Sequence, residues 1–238
     1  MDLKKYYSSR GKYLEEHQNY FSKKQLQTDV DFLIDVLNLK KKDKISDLAC
    51  GHGRHTIELK KRGFNIDGLD FSDYLLKIAK SRAEQQNLQI KFYKQNIHNI
   101  NLKTKYDKIF LFFSEFGLFD ANKVLKNVSK ILKINGLFLL DCDNVFRLIQ
   151  YLIKHPNVPY KFDFINMKLK EKQKTNYGVR YYIVPELKTL FQNNGLKVIS
   201  IYGNYAKDSL DINSKRIILI GKKIATNNLL PNRQNKNF

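Results

Sequence analysis

Cysteine is scarce: Cys50 and Cys142 are the only two among 238 residues. They show no paired spacing, so a disulfide framework is not expected. Five histidines are scattered along the chain, and with two cysteines they do not make a zinc pattern, so no metal is expected. Long apolar runs are missing too; none approaches the roughly 20 residues that cross a bilayer. Met1-Asp-Leu-Lys-Lys-Tyr-Tyr7 lacks the apolar core of a signal peptide. The expected compartment is the cytoplasm, with no membrane partner. Acidic residues are in deficit, 23 against 43 Lys and Arg, which leaves a net charge of +20. A charge this large can attract nucleic acid or an anionic membrane surface. Yet the lysines are spread from Lys40 through Lys60, Lys168 and Lys174 to Lys222, and Asn, Ile and Lys are abundant together. That pattern reads as a compositional bias producing a solvated basic surface. What is present, 42% hydrophobic and 13% aromatic residues, suffices for one large globular domain with a sizeable core.

Residues 1–25 are polar and tyrosine-rich, without a sustained period. Val30, Leu33, Ile34 and Leu37 then make the stripe of an amphipathic helix over 28–37. Alternation follows. Strands are predicted at 45–49, 64–70, 88–93, 108–113 and 137–141, with helices at 56–61, from Ser72 to Ala83, at 124–132 (closed by Asn135-Gly136) and at 146–153. This spacing predicts a parallel sheet covered by helices on both faces. The rhythm breaks at 154–184, which reads as an insertion. A helix from Pro185 to Asn193 and a final hairpin, 196–202 with 216–220, complete the reading, and 224–238 reads as a flexible tail.

Asp47-Leu-Ala-Cys-Gly51-His-Gly53-Arg-His-Thr lies between a predicted strand and a predicted helix. Glycine is needed where the backbone turns sharply and a ligand approaches it closely. The next strand ends in Asp70, where a carboxylate can accept hydrogen bonds from a ribose diol. Together these features point to an adenosine-containing cofactor. A dinucleotide loop carries a third glycine, and here the stretch is Arg54-His55-Thr56, which favours a smaller ligand such as S-adenosylmethionine. A P-loop is excluded, because no Gly-Lys-Ser/Thr follows.

The run 47–59, followed by Gly63-Phe-Asn-Ile-Asp-Gly-Leu-Asp-Phe-Ser72, resembles the class I S-adenosylmethionine-dependent methyltransferases. It is nearest to the small-molecule branch with Cys-Gly-x-Gly-Arg-His in its first motif. Tyr106 to Phe119 looks like that branch's fourth motif, Gly136 to Asp141 like its fifth strand, and 202–220 like its last hairpin. The likeness spans 25 to 223 in outline, with 47–72 its most specific part. It implies a Rossmann-like, seven-stranded, mostly parallel sheet with a C-terminal antiparallel hairpin. It further implies one methyltransferase domain over 1–223, with 1–25 as an N-terminal cap and 154–184 as a substrate cover. The cofactor implied is S-adenosylmethionine. Ala49, Gly51 and Gly53 would line its methionine end, with Asp47 beneath the loop and His55 at the helix start. Asp70 would bind the ribose, Phe71 would pack on the adenine, and Asn96 and Ile97 would follow the third strand beside it. Many relatives have Asp where Asn96 stands. Phe113 and Ser114 would leave the fourth strand beside the sulfonium.

Methyl transfer needs an acceptor lone pair in line with the methyl and opposite sulfur, so alignment and desolvation dominate and a strong base is optional. Glu115 stands where the related motif has a small residue, and it would favour a cationic or amine acceptor. Tyr181 and Arg216, with Arg180, Tyr182 and Tyr202, would suit an anionic one. The two hints oppose each other and leave the acceptor open. The Asn/Asp-Pro-Pro-aromatic signature of base-amine methylation is missing from Ser114-Glu-Phe-Gly, and neither cysteine stands where C5-pyrimidine methylation needs one. A small-molecule acceptor is therefore favoured over nucleic acid. A cofactor-binding protein without turnover is the other alternative.

Overall fold

A computed structural model of the chain describes residues 3–17, 22–112, 116–171 and 178–225. Its centre is a seven-stranded sheet in the order β3-β2-β1-β4-β5-β10-β9. Strand β1 (Lys44–Leu48) lies parallel to β2 (Asn65–Asp70) and to β4 (Tyr106–Leu111). Beyond them lie β3 (Phe92–Lys94) and β5 (Leu132–Asp143), also parallel to their neighbours. β10 (Arg216–Lys223) runs antiparallel to both β5 and β9 (Leu196–Tyr202). It is the one reversed strand of the described sheet.

The strand pleat divides the apolar side chains between two cores. On β4, Ile109 and Leu111 join one cluster while Phe110 and Phe112 join the other. Phe138 and Leu140 oppose Leu139 in the same way, and Ile217 and Leu219 oppose Ile218 and Ile220. A strand buried on both faces has to be apolar at every position, which is the mark of a sheet covered on both sides. One face is covered by α6 (Ala121–Ile131) through Val124, Leu125, Val128 and Ile131, and by α8 (Val184–Asn193) through Leu187 and Phe191. The other is covered by α3 (Lys23–Val36) through Val30, Phe32 and Leu33, and by α4 (Arg54–Lys61) through Leu59. Helix α5 (Asp73–Glu84) starts at Ser72, whose side chain accepts from the Leu75 amide. Helix α7 (Val145–Lys154) follows β5, and two short helices, α1 (Leu3–Tyr6) and α2 (Tyr13–Glu16), form the N-terminal segment.

Two details differ from the sequence-based expectation. The third strand is three residues long and begins at Phe92, not Leu88. It is the sheet edge and pairs only with β2, so the run before it has no second neighbour to extend against. Asn135-Gly136 does not close a helix. Helix α6 ends at Ile131, and β5 begins at once at Leu132. Asn135, at φ 64°, turns the chain where the pairing with β4 jumps from Leu132 to Leu137. Asparagine tolerates that left-handed backbone, so the same residue type serves a strand irregularity as readily as a helix end.

The segment between α7 and α8 carries a three-stranded antiparallel sheet, β6 (Tyr160–Asp163), β7 (Lys168–Glu171) and β8 (Gly178–Arg180). It sits against the turn Phe116–Leu118 after β4. A Cβ on Gly117 would lie 1.6 Å from the Arg180 carbonyl oxygen, so the two backbones touch. Among the described residues no helix is long and apolar enough to cross a membrane.

Candidate functional site

The loop from β1 to α4 reverses direction with Ala49 at φ 54°, Gly51 at 55° and Gly53 at 79°. Its two glycines do different work. A Cβ on Gly53 would stand 2.9 Å from the Ala79 Cβ and 3.3 Å from the Phe92 ring, so Gly53 lets α4 start close against α5 and β3. A Cβ on Gly51 would meet nothing nearer than Leu75 at 3.8 Å, because the space before it is the site cavity. Gly68 lets Phe92 and the buried Cys50 pack onto β2. Cys50 is packing; burial pushes its thiol well above the ordinary range.

Asp70 ends β2 with one oxygen accepting from the Gly51 amide at 2.9 Å and the other from the Ser72 amide at 2.8 Å. The carboxylate thus holds the glycine loop and the start of α5 in one register. Burial raises its pKa while the backbone amides oppose that rise. Asp47 is buried under the loop, where its carboxylate accepts from the Thr56 hydroxyl at 2.6 Å. Burial there pushes its pKa up to about 7.

A cavity of about 870 Å³ opens over this loop at the C-terminal ends of the parallel strands, the usual ligand position in open α/β sheets. Ala49, Gly51, Asp70, Phe71, Asn96, Ile97 and Arg216, all singled out in the sequence, line it together. Asn96 turns the chain after β3 by accepting from the His98 amide at 2.9 Å. Asp47 and Gly53 lie behind the lining. So does His55, whose Nε2 meets Asp29 at 3.0 Å, beside Arg54 at 3.1 Å from the same oxygen. Asp29 is fully buried and also accepts from Gln25 at 2.7 Å, so this cluster ties α3 to α4. Tyr181 lines a separate, smaller cavity that adjoins the main one through Asp143. Phe113, Ser114 and Glu115 lie outside the described residues.

The opposite wall is made of side chains. Arg216 donates from Nε to Asp141 at 2.7 Å and from a terminal nitrogen to Asp143. Tyr205 donates its hydroxyl to the other oxygen of Asp141 at 3.0 Å. Asp141 is fully buried, so the guanidinium and the phenol compensate its charge. Burial opposes the Arg216 charge, but the two carboxylates outweigh it and raise its pKa far above the ordinary value.

Several further residues line the cavity that the sequence does not single out as site residues. Tyr7, Tyr13 and His17 come from the aperiodic N-terminal segment, where Tyr7 stacks edge-on against Phe71 at 5.6 Å and its carbonyl accepts from Ser72 at 2.6 Å. Gln25 and Thr28 come from α3, Arg147 from α7, and Asn204, Tyr205 and Lys215 from the β9–β10 connection. Only the tyrosine content of the first segment hinted at such packing.

Known proteins give this arrangement a context. A candidate methyltransferase of Geobacillus sp. is 24% identical over 208 residues, covering 76% of this chain and 84% of the relative. The ubiquinone biosynthesis O-methyltransferase of Coxiella burnetii is 28% identical over 162 residues, covering 67% of this chain and 65% of the relative. The crystal structure of an S-adenosylmethionine-dependent methyltransferase from Clostridium acetobutylicum shares the fold, with a TM-score of 0.72 at 21% identity, covering 90% of this chain and 99% of that one. The methyltransferase domain model matches residues 39–195, from before β1 to the end of α8. The chain belongs to the methyltransferase domain family.

Proposed function

We propose that this protein transfers the methyl group of S-adenosylmethionine to a small-molecule acceptor by in-line displacement, as a class I enzyme of the Cys-Gly-x-Gly-Arg-His branch. The observation that carries this reading is one cavity of about 870 Å³ that begins over Gly51 and Asp70 and continues to the Asp143–Arg216 wall. That volume is in the upper part of the roughly 300–1,000 Å³ range of small-molecule sites. The cofactor fits the end where Gly51 has no Cβ and Asp70 keeps acceptor capacity beyond the two amides it already serves.

S-adenosylmethionine supplies an electrophilic methyl group on a positively charged sulfur. The chain binds and aligns. Ala49 and Gly51 bound the amino-acid end, with Gly53, Asp47 and His55 holding the loop from behind. Asp70 accepts from the ribose hydroxyls, and Phe71, Asn96 and Ile97 flank the adenine. Phe113 is assigned beside the reacting atoms, and Glu115, Tyr181 and Arg216 to the acceptor side. Tyr7 and Tyr13 exclude water above the loop. Alignment of this kind is worth on the order of 7–11 kcal/mol, so no general base is assigned. Residues 1–223 act as one domain, 1–25 as its cap and 154–184 as the acceptor cover, in the cytoplasm; the tail expected over 224–238 lies, from residue 226 on, outside the described residues.

Calorimetric titration of S-adenosylmethionine, S-adenosylhomocysteine and NAD into the wild type and Asp70→Ala tests the reading. Saturable binding of the two sulfur ligands, weakened about 100-fold or more in Asp70→Ala, is the expected result. A preference for NAD, or no binding of either sulfur ligand, would overturn it.

A further inference from the structure

The wall opposite Gly51 points to a class of acceptor, granted the methyl-transfer reading above. Arg216 is the obvious cation there, yet Asp141 and Asp143 both hold it. Its charge is balanced within the wall. Arg147 and Lys215 line the same cavity in a different state. Neither belongs to any ion pair or hydrogen bond among the described residues; Arg147 acts on Asp143 only through its field. Among the described residues, the exposed Arg147 and Lys215 add two cations to this wall beyond the Arg216 that Asp141 and Asp143 hold.

The fold holds the two cations together. The Asn144 amide at the start of α7 donates to the Ser214 carbonyl at 2.9 Å and to the Asp211 carbonyl at 3.3 Å. Arg216 is the register partner of Asp143. Lys215 and Arg147, far apart in sequence, therefore emerge on one edge of the cavity. The same cavity is also lined by apolar and aromatic side chains: Phe112, Leu118, Phe119 and the ring of Tyr205. The Phe112 and Tyr205 rings pack against each other in a tilted arrangement, 5.1 Å apart.

We infer that Arg147 and Lys215 are the anion-recognising edge of the acceptor site, which takes a small molecule with an aromatic or apolar body and one carboxylate or phosphate group. A guanidinium presents a planar fork to such a group, and an ammonium adds a mobile point charge. The apolar body is desolvated against Phe112 and Tyr205 while its anion stays at the mouth, where charge need not be buried. The protein's net charge of +20 draws anions toward that mouth.

The test uses four matched probes: phenylacetate, phenyl phosphate, the neutral phenylacetamide and the cationic phenethylamine. Each is titrated into the full chain at low ionic strength, with and without saturating S-adenosylhomocysteine. The anions should bind about tenfold or more tighter than the amide. That preference should vanish in Arg147→Gln/Lys215→Gln and persist in Lys77→Gln/Lys80→Gln, which removes two charges from exposed α5 positions outside the cavity lining. Phenylacetate ahead of phenyl phosphate assigns a carboxylate acceptor, and the reverse order a phosphate. Equal binding of amide and anions, tighter binding of the amine, no binding of any probe, or equal loss in both double variants would each overturn the inference. Failure of the cofactor reading is seen separately, as absence of S-adenosylhomocysteine binding, because the probe comparison is also made without it.

Discussion

The two ends of the cavity are built from different materials. At the Gly51 end the site is shaped by main chain, a left-handed loop and the amides of Gly51 and Ser72, tied together by the one Asp70 carboxylate that receives both amides. These parts lie within residues 47–72, on two adjacent strands. At the Arg216 end the shape is held by buried charge, with Asp141 receiving both a guanidinium and a phenol from the β9–β10 region. A site can be rigid for two reasons. A loop is held by its own backbone conformation, and its cost of failure is strain. A charge network is held by mutual neutralisation, and its cost of failure is an uncompensated buried ion.

The hardest way to break the comparison is to remove the buried carboxylate. Asp141→Ala removes the carboxylate that accepts from the Arg216 Nε and from the Tyr205 hydroxyl. Denaturant unfolding should show a loss of about 3–5 kcal/mol. A loss below about 1 kcal/mol would mean the wall is not held by this network.

Asp47 supplies a pH test at the other end. Its folded pKa, near 7, stands above the ordinary value of 3.8. Below the ordinary value both folded and unfolded states hold the proton, so the group has no effect there. As pH rises from about 4 to 7 the unfolded chain releases the proton while the fold retains it, and stability falls. Above about 7 the loss is constant, at most roughly 4 kcal/mol. Asp47→Asn should flatten this decline, measured as melting temperature between about pH 4 and 8. An unchanged slope would place the titration elsewhere.

The two glycines sharpen the comparison within one loop. Gly53→Ala combines a left-handed backbone with contacts to Ala79 and Phe92, so it should cost about 2–4 kcal/mol of stability. That corresponds to a fall of roughly 4–16 °C in melting temperature. Gly51→Ala meets only the backbone penalty, about 1–2 kcal/mol, but should weaken S-adenosylhomocysteine binding more than Gly53→Ala weakens it. If the order of the two binding effects were reversed, the division of labour between the glycines would be wrong. The smallest effect is expected at Lys94, whose ion pair with Asp73 joins side chains about 60% exposed. Lys94→Gln should change stability by less than about 0.5 kcal/mol, since solvent screens such pairs.

Much of the sheet is legible in the sequence because a doubly covered strand is apolar at successive positions, as at 109–112, and because Ser72 and Pro185 mark helix starts by local chemistry. The sequence overstates the third strand because an edge strand's length depends on what pairs with it. Asn135-Gly136 signals a helix end and a strand irregularity alike, because the left-handed Asn135 serves both. His55 was expected near the cofactor and instead meets Asp29, a partner 26 residues earlier that no spacing rule connects to it. The same limit hid Tyr7, Tyr13, Arg147 and Tyr205.

What the sequence determined by itself was therefore local: the parallel-sheet rhythm, the glycine loop, the acid that closes the next strand and the family these imply. Each depends on residues close together in the chain, where backbone conformation and pleat period act directly. The far wall emerges only in three dimensions: which carboxylates hold Arg216, and that Arg147 and Lys215 line one cavity. That depends on long-range pairing, because β10 enters the sheet beside β5 and places its connection at the start of α7, and charges become partners only when the fold brings them within reach.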